Sequence, residues 1–522
     1  MSISRRPRFL YMFFIVVAGG CAVGPNFHRP AAPGDLGYTP TPLPDATTSA
    51  PVGGGDSQRF VVGQDIPYRW WEAFGSPAIN AWVELAFRAN PSVAAAQASL
   101  KQAEEMVYAQ QGYFFPTVTA DYNFERQKLA GNLSGSSAPG VQGNGTAITA
   151  VQSATPPYNQ PLYYNFHTAQ LTVGFTPDVF GVNRRKVESL DAQRKVQKFE
   201  LAATYVSLAS NVVAAAIEDG STRAQIDAVR EIIAANEKSL QVMRDKFRLG
   251  YAMRIDLANQ ELQLAQAQAL LPVLVKQLEQ NRDLLRALVG NMPDKDLAET
   301  VNFDALTLPA ELPVSLPSKL IEQRPDIRAA EEQLHSANAE VGVAIGQMIP
   351  QFNITGAVGG TATQFSQMFK SGGPFWNLIG DASQPLFAGG TLLHSKRAAD
   401  QALRQAAAQY QSTVLQACQN VADTLHAITT DADALAAALV AEQAAKTLLD
   451  VTHQRAQDGY TDYLTDLAAS MAHQQAIINL VQARAARFGD TAALYQALGG
   501  GWWNRDGAAL AAPTAANRPP GN

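Results

Sequence analysis

"NPSVAAAQASLKQAEEMVYAQQGYFFPTVTADYNF" at residues 90–124 and "RPDIRAAEEQLHSANAEVGVAIGQMIPQFNITGAV" at residues 324–358 are one passage written twice. At a constant offset of 234, Pro91 meets Pro325, Ala95 meets Ala329, Leu100 meets Leu334 and Ala103 meets Ala337. Val107 then meets Val341, Gly112 meets Gly346 and Pro116 meets Pro350. A repeat of this length fixes the architecture before any single motif does. Each copy is helical up to its last proline, and beyond it the apolar period changes to two. Val118, Ala120, Tyr122 and Phe124 alternate with Thr119, Asp121 and Asn123, while Phe352, Ile354, Gly356 and Val358 alternate with Asn353, Thr355 and Ala357. Period two is a strand with unlike faces.

A second strand follows in each half, "HTAQLTVGFTPDVFG" and the weaker "FWNLIGDASQPLFAGG". A Gly/Ser/Asn-rich loop from about 127 to 165 separates the first pair, and a shorter one from about 360 to 374 the second. At about ten residues each, these strands are long enough to cross a bilayer at a tilt. Both halves then enter a long Ala-rich helix. Val196, Phe199, Ala203, Val206, Ser210, Val213 and Ile217 step by three and four. So do Ala399, Leu403, Ala406, Tyr410, Val414, Ala417, Val421, Leu425 and Ile428, which is the spacing of a coiled-coil seam. A helix over 181–246 would be about 100 Å long at 1.5 Å per residue, too long to bury in a globule. Glycine turns at "RLGYAMRIDLANQ" (248–260, with Gly250) and "QDGYTDYLTDLAAS" (457–470, with Gly459) lead into a second helix in each half.

The chain begins with a basic stretch (Arg5, Arg6, Arg8), then the apolar run Phe9–Ala18, then Ala18, Gly19 and Gly20 before Cys21. That is a secretory signal ending in a lipobox, although Ala18 stands where Leu is commoner. Cys21 is expected as the acylated first residue of the exported chain, with outer-membrane lipid as its anchor. Acylation leaves Cys418 without an intrachain partner, so no disulfide framework is expected. Loss of the three arginines moves the net charge from −6 to −9, and a mildly acidic chain with 16% charged residues is a poor nucleic-acid binder. Residues 21–70, rich in Pro, Gly and Thr, read as an extended tether after a signal at 1–20. Repeat one spans 71–298 and repeat two 299–502, and 503–522 reads as a flexible tail. The seven histidines lack metal-ligand spacing, and GxSxG, HExxH, P-loop and CxxC patterns are missing, so neither an enzyme nor a cofactor is expected.

The fold class is therefore mixed α+β: four membrane strands and long antiparallel coiled-coil helices in two repeats. Four strands cannot close a barrel, and open edges are not tolerated in lipid. Copies of the chain must share one barrel, two giving eight strands and three giving twelve. Eight-stranded barrels fill with side chains, whereas larger ones leave a lumen.

"CAVGPNFHRP" after the lipobox, the paired "NPSV…GYFFP" and "RPDI…GQMIP" segments, the paired glycine turns and "ALGGGW" at 497–502 together resemble the TolC-like outer membrane factors. More narrowly, they resemble the NodT-type lipoproteins that serve RND efflux pumps. The resemblance covers residues 21–502. It implies a homotrimer with a twelve-stranded barrel in the outer membrane and a twelve-helix periplasmic tunnel. It further implies docking to a periplasmic adaptor and an inner-membrane RND transporter, to conduct drugs or other small molecules outward. The duct of a type I protein secretion system is the alternative, since it shares the architecture. The resemblance also places a periplasmic gate at the tip turns. Asp256 falls at the family's first gate aspartate, and Leu464 at a constricting leucine ring. The second aspartate would fall at Ala468; Asp466 lies two residues earlier, a rotation of roughly 200° about a helix. The competing reading has Asp256, Asp462 and Asp466 serving the first turns of their helices, as caps or as charges facing the helix dipole.

Overall fold

The computed structural model describes residues 22–31, 34, 37–129, 140–141, 147–148, 162–297, 299–458 and 460–505. The signal, Cys21, Gly459 and the stretch beyond 505 lie outside the described residues. In chain order the elements are β1 (Arg59–Val62), α1 (Pro77–Ala89), α2 (Pro91–Gln111), β2 (Thr117–Leu129), β3 (Gly140–Val141), β4 (Ala147–Ile148), β5 (Leu162–Phe175), α3 (Val182–Arg248) and α4 (Arg254–Leu288). They continue with β6 (Glu311–Val314), α5 (Pro317–Gln323), α6 (Pro325–Gly346), β7 (Gln351–Ala362), β8 (Pro374–Ser383), α7 (Thr391–Gln457) and α8 (Tyr463–Ala497). Both expected switches from helix to strand occur, with β2 and β7 starting one residue past Pro116 and Pro350.

The chain forms two compact units, and each draws on both repeats rather than on one. The units therefore do not coincide with the sequence repeats at 71–298 and 299–502. The repeats are covalent halves, and the spatial units are built across them.

The first unit comprises Gln102–Arg194 and Glu332–Ala407 with the described residues up to His28. Its centre is an antiparallel sheet in the order β2-β5-β7-β8. Register decides its chemistry. Val118 pairs with Val173, Ala120 with Leu171 and Tyr122 with Ala169. Leu171 pairs in turn with Val358, and Val358 with Trp376. Paired residues share a face, so Val118, Tyr122, Leu171, Val173, Val358, Trp376 and Leu378 form one apolar face, and all are exposed. The opposite face carries Thr119, Asp121, Asn123, Thr172, Gln170 and Asn377. Phe375 and Ile379 also lie on this second face, which is why the alternation of β8 is weak in the sequence. The loop of about 127–165 is shorter than expected at both ends, because β2 and β5 pair out to Leu129 and Leu162. Among the described residues, neither β2 nor β8 has a partner on its outer side.

The second unit comprises Arg29–Lys101, Lys195–Glu331 and the described residues from Ala408 onward. The predicted seams are its core. Val213, Ile217, Ala417, Val421, Leu425 and Ile428 are all buried, together with Trp70, Trp71, Phe74, Leu285, Leu320 and Phe488. Trp70 stacks on Tyr495 at 5.1 Å. Each such aromatic removes a large apolar area from water, about 1.5–3 kcal/mol per side chain. In α3 the seam continues toward the tip through Ile226, Val229, Ile232, Asn236, Leu240 and Met243. The Asn281 amide donates to Ala215 O at 2.7 Å, and the Gln260 amide to Asn236 O at 3.3 Å. Both pairs fit an antiparallel hairpin of α3 and α4 folded about residue 248.

Two boundaries need correction here. The supposed tether at 21–70 is packed structure over much of its length. β1 pairs in parallel with β6, Thr47, Gln58 and Ile66 are buried, and the fully buried Arg487 donates to Thr47 Oγ1 at 3.0 Å and to Asp56 O. Backbone pairing and a buried guanidinium hold a segment that has no periodicity of its own. The tail, expected from 503, is still docked at 505. Trp503 Nε1 donates to Asp65 at 3.0 Å, Asn504 to Asp65 at 2.8 Å, and the Arg505 guanidinium lies 4.1 Å over the Tyr205 ring. Beside Arg487, burial and the neighbouring Asp490 carboxyl push Asp431 up to about 7. Cys418 is a free, half-buried thiol, raised by that burial.

Candidate functional site at the helix tips

α3 ends in a Schellman turn. The Tyr251 N–H donates to Lys246 O at 2.8 Å, and the Gly250 N–H to Phe247 O at 3.0 Å. Gly250 has φ +79, and no atom lies within 4 Å of where a Cβ would be. Glycine is required here by the left-handed backbone, with no close neighbour demanding it. In the second half, Tyr460 makes the equivalent bond to Arg455 O at 2.8 Å. Gly459, expected at that turn, lies outside the described residues.

The next helix starts differently in the two halves. Asp256 is the third residue of α4, and its Oδ2 accepts the Met253 N–H at 2.9 Å. Asp462 is itself the N-cap of α8, accepting the Thr465 hydroxyl and, at 3.0 Å, the Thr465 N–H; those bonds hold its carboxyl below the ordinary range. Capping geometry is thus real for Asp256 and Asp462. Asp466 caps nothing. Its Oδ2 lies 3.4 Å from His453 Nδ1, and its Oδ1 is buried without a hydrogen-bond partner. Leu464, in the first turn of α8, is 54% exposed.

Between these carboxylates sits Tyr463, a residue the sequence reading passed over. Its hydroxyl donates to Gln260 Oε1. Gln260 is almost wholly buried, and its amide reaches Asn236 Oδ1 at 3.2 Å. Asn236 donates onward to Ile232 O at 2.9 Å. A side-chain chain thus runs from α8 through α4 to α3. Burial, then Asp256, then Asp466 push the Tyr463 phenol up to about 12. The hydroxyl therefore remains a donor at any periplasmic pH. Gln263 adds a contact from α4 to Met471 Sδ at 3.2 Å. The available signal was the seam itself: Asn236 and Gln260 are polar residues at buried seam positions, where a polar side chain specifies register at the expense of stability. Of the basic residues near the tips, Arg244 pairs with Glu261 at 3.4 Å and Arg248 with Asp245 at 2.9 Å.

No group of three or more His, Cys, Asp or Glu side chains is placed to hold a metal ion among the described residues. What the tips offer is a hydrogen-bonded contact between two hairpins and exposed apolar side chains beside carboxylates. That arrangement can hold or release a conformation.

The profile of the outer membrane efflux protein family matches residues 82–291 and 316–500. The toluene efflux pump outer membrane protein TtgF of Pseudomonas putida is 24% identical over 508 residues, covering 96% of this chain and 98% of its own. The pyoverdine export outer membrane protein OpmQ of Pseudomonas aeruginosa is 27% identical over 478 residues, covering 90% and 94%. Among solved structures, the CmeC outer membrane channel of Campylobacter jejuni aligns with a TM-score of 0.79 at 19% identity, over 94% of this chain and 97% of that one. A profile matching both repeats, with the fold aligning over nearly the whole chain, leaves one conclusion: this chain belongs to the outer membrane efflux protein family, channels of the outer membrane and not enzymes.

Proposed function

We propose that three copies of the chain form the exit duct of a tripartite RND-type efflux pump, conducting small molecules passively from a periplasmic adaptor and an inner-membrane transporter to the outside. The sheet carries this reading: four strands with one apolar face, one largely polar face and, among the described residues, both edges unpaired. Unpaired edges in lipid are satisfied by closure between copies, β8 of one against β2 of the next. An apolar face toward lipid and a polar one inward suit a water-filled lumen. A lumen favours three copies, since eight strands would leave an interior filled by side chains.

Relatives named for toluene efflux and for pyoverdine export align over nearly the whole of this chain. Cargo selection therefore belongs to the partners, and the duct supplies passage and a gate. The gate is the pair of tips, closed when Tyr463 holds Gln260, with Leu464 and the carboxylates of Asp256 and Asp466 near the axis. Anchoring adds acyl chains on Cys21. The test is the mass of the detergent-solubilised complex, together with cysteine cross-linking of β2 to β8. Three copies and inter-copy β8–β2 links are expected; a monomer, or links that stop at dimers, would overturn the trimeric duct.

A further inference from the structure

The segment just behind Cys21 makes contacts that neither a conduit nor a lipid anchor requires. Val23–Phe27 lies in the first unit, along the start of α3 and the last turns of α6. Arg185 of α3, whose side chain is 4% exposed, spends most of its donors on this segment. Its Nε donates to Val23 O at 3.0 Å, and its Nη2 to Gly24 O at 3.3 Å and to Asn26 Oδ1 at 2.8 Å. Its Nη1 is held by Glu188 at 2.7 Å. The Val23 N–H donates to Phe180 O at 3.0 Å, between β5 and α3. At the far end, the Phe27 ring stacks on His335 of α6, with centroids 4.3 Å apart and planes 14° from parallel. His335 in turn has Glu188 at 3.0 Å from Nε2 and Glu332 at 3.3 Å from Nδ1. Burial works against the Glu188 carboxylate, but the bonds from Arg185 and His335 outweigh it and hold it below the ordinary range.

The floor of this seat is Gly342 of α6. A Cβ there would come within 2.8 Å of Val23 O and 2.9 Å of Arg185 Cγ, so only glycine lets the segment lie against the helix. The seat is therefore complete: a buried guanidinium for successive carbonyls, a bare helix face for the backbone, and an imidazole for an aromatic ring. Arg185 and Phe180 come from repeat one, and Gly342 and His335 from repeat two.

We propose that Arg185, Gly342 and His335 form a seat for the chain's own Val23–Phe27, bent at Gly24, which acts as a clasp joining the start of α3 to α6. The clasp holds the N-terminal segment beside the end of β5 by its own contacts, independently of the acyl group proposed on Cys21. Lipid and clasp are then two separate attachments of one segment. Arg185 is a positioning residue, acting on backbone carbonyls, and its fork of donors cannot be reproduced by an ammonium.

Hydrogen exchange on the full-length protein in detergent tests this, read on peptides covering residues 22–30. The unmodified protein should protect the Val23 amide. Gly342→Val, which fills the floor, should speed exchange across 22–28 by tenfold or more, with β5 and β7 unchanged. Should Gly342→Val fail to fold, Asn26→Ala combined with Phe27→Ala alters only the clasp and gives the same readout. Cys21→Ser should leave the protection intact, and a synthetic peptide of residues 22–30 should compete with the clasp of the Phe27→Ala protein. Unprotected exchange in the unmodified protein, no response to these substitutions, loss of protection with the lipid alone, or failure of the peptide to compete would each overturn the clasp.

Discussion

Replacing Tyr463 with Phe removes one hydroxyl and leaves the ring. In the structure that hydroxyl is the donor to Gln260 Oε1, and Gln260 is 2% exposed, so water cannot readily take its place. An unsatisfied buried acceptor costs about 1–3 kcal/mol. If opening separates α8 from α4, the whole of that penalty falls on the closed state. The open-to-closed ratio should then rise roughly 5- to 150-fold for each tip affected. Single-channel recording in planar bilayers reads this as a longer open dwell at unchanged full conductance, since the bore loses no bulk. Gln260→Leu should act in the same direction, and the double variant should fall short of the sum, with a coupling of about 1 kcal/mol. Because the phenol is pushed up to about 12, the effect should be flat between pH 5 and 9. Unchanged gating in Tyr463→Phe, or strictly additive effects of the pair, would refute the latch and leave the contact as packing alone.

Asp256→Ala strips the cap from the Met253 N–H and should lower stability by about 0.5–2 kcal/mol; a loss of cation preference in bilayers would show in addition that the carboxylate faces the conducting path, and unchanged selectivity would limit Asp256 to capping. Asp431 adds a pH dependence to the second unit: its folded pKa lies above the ordinary 3.8, so its stabilising contribution is complete below about pH 4 and is lost as pH rises through about 7. Asp431→Asn should flatten that slope in thermal unfolding and raise stability at pH 8 by on the order of 1 kcal/mol, after allowing for solvent screening of a partly exposed group. On the sheet, Ala120→Arg should destabilise insertion by about 2–4 kcal/mol while Asp121→Arg is tolerated, and the reverse order would swap the faces. Cys21→Ser should abolish labelling by radioactive palmitate, and a labelled serine variant would place the lipid elsewhere.

The sequence by itself determined everything that depends on near neighbours. The switch of period at Pro116 and Pro350, the length of α3 and α7, the seam through Val421, Leu425 and Ile428, and the turn at Gly250 are all set by residues two to seven positions apart. Such spacing is written openly along the chain. Asp256 and Asp466 were singled out only through the resemblance to a family, and the spacing said nothing of what lies beside them. Tertiary structure decided the rest, because the deciding partners lie far apart and have no common local pattern. Tyr463 and Gln260 are 203 residues apart, and only the packing of α8 on α4 makes them a pair. The order β2-β5-β7-β8 joins the repeats through β5 and β7, and so builds the first unit from both halves. Residues 22–66 have no period at all, and composition made them look like a tether. They are held instead by backbone carbonyls and buried guanidiniums, Arg185 for the first stretch and Arg487 for the second, and an arginine in a helix does not announce which distant backbone it will hold.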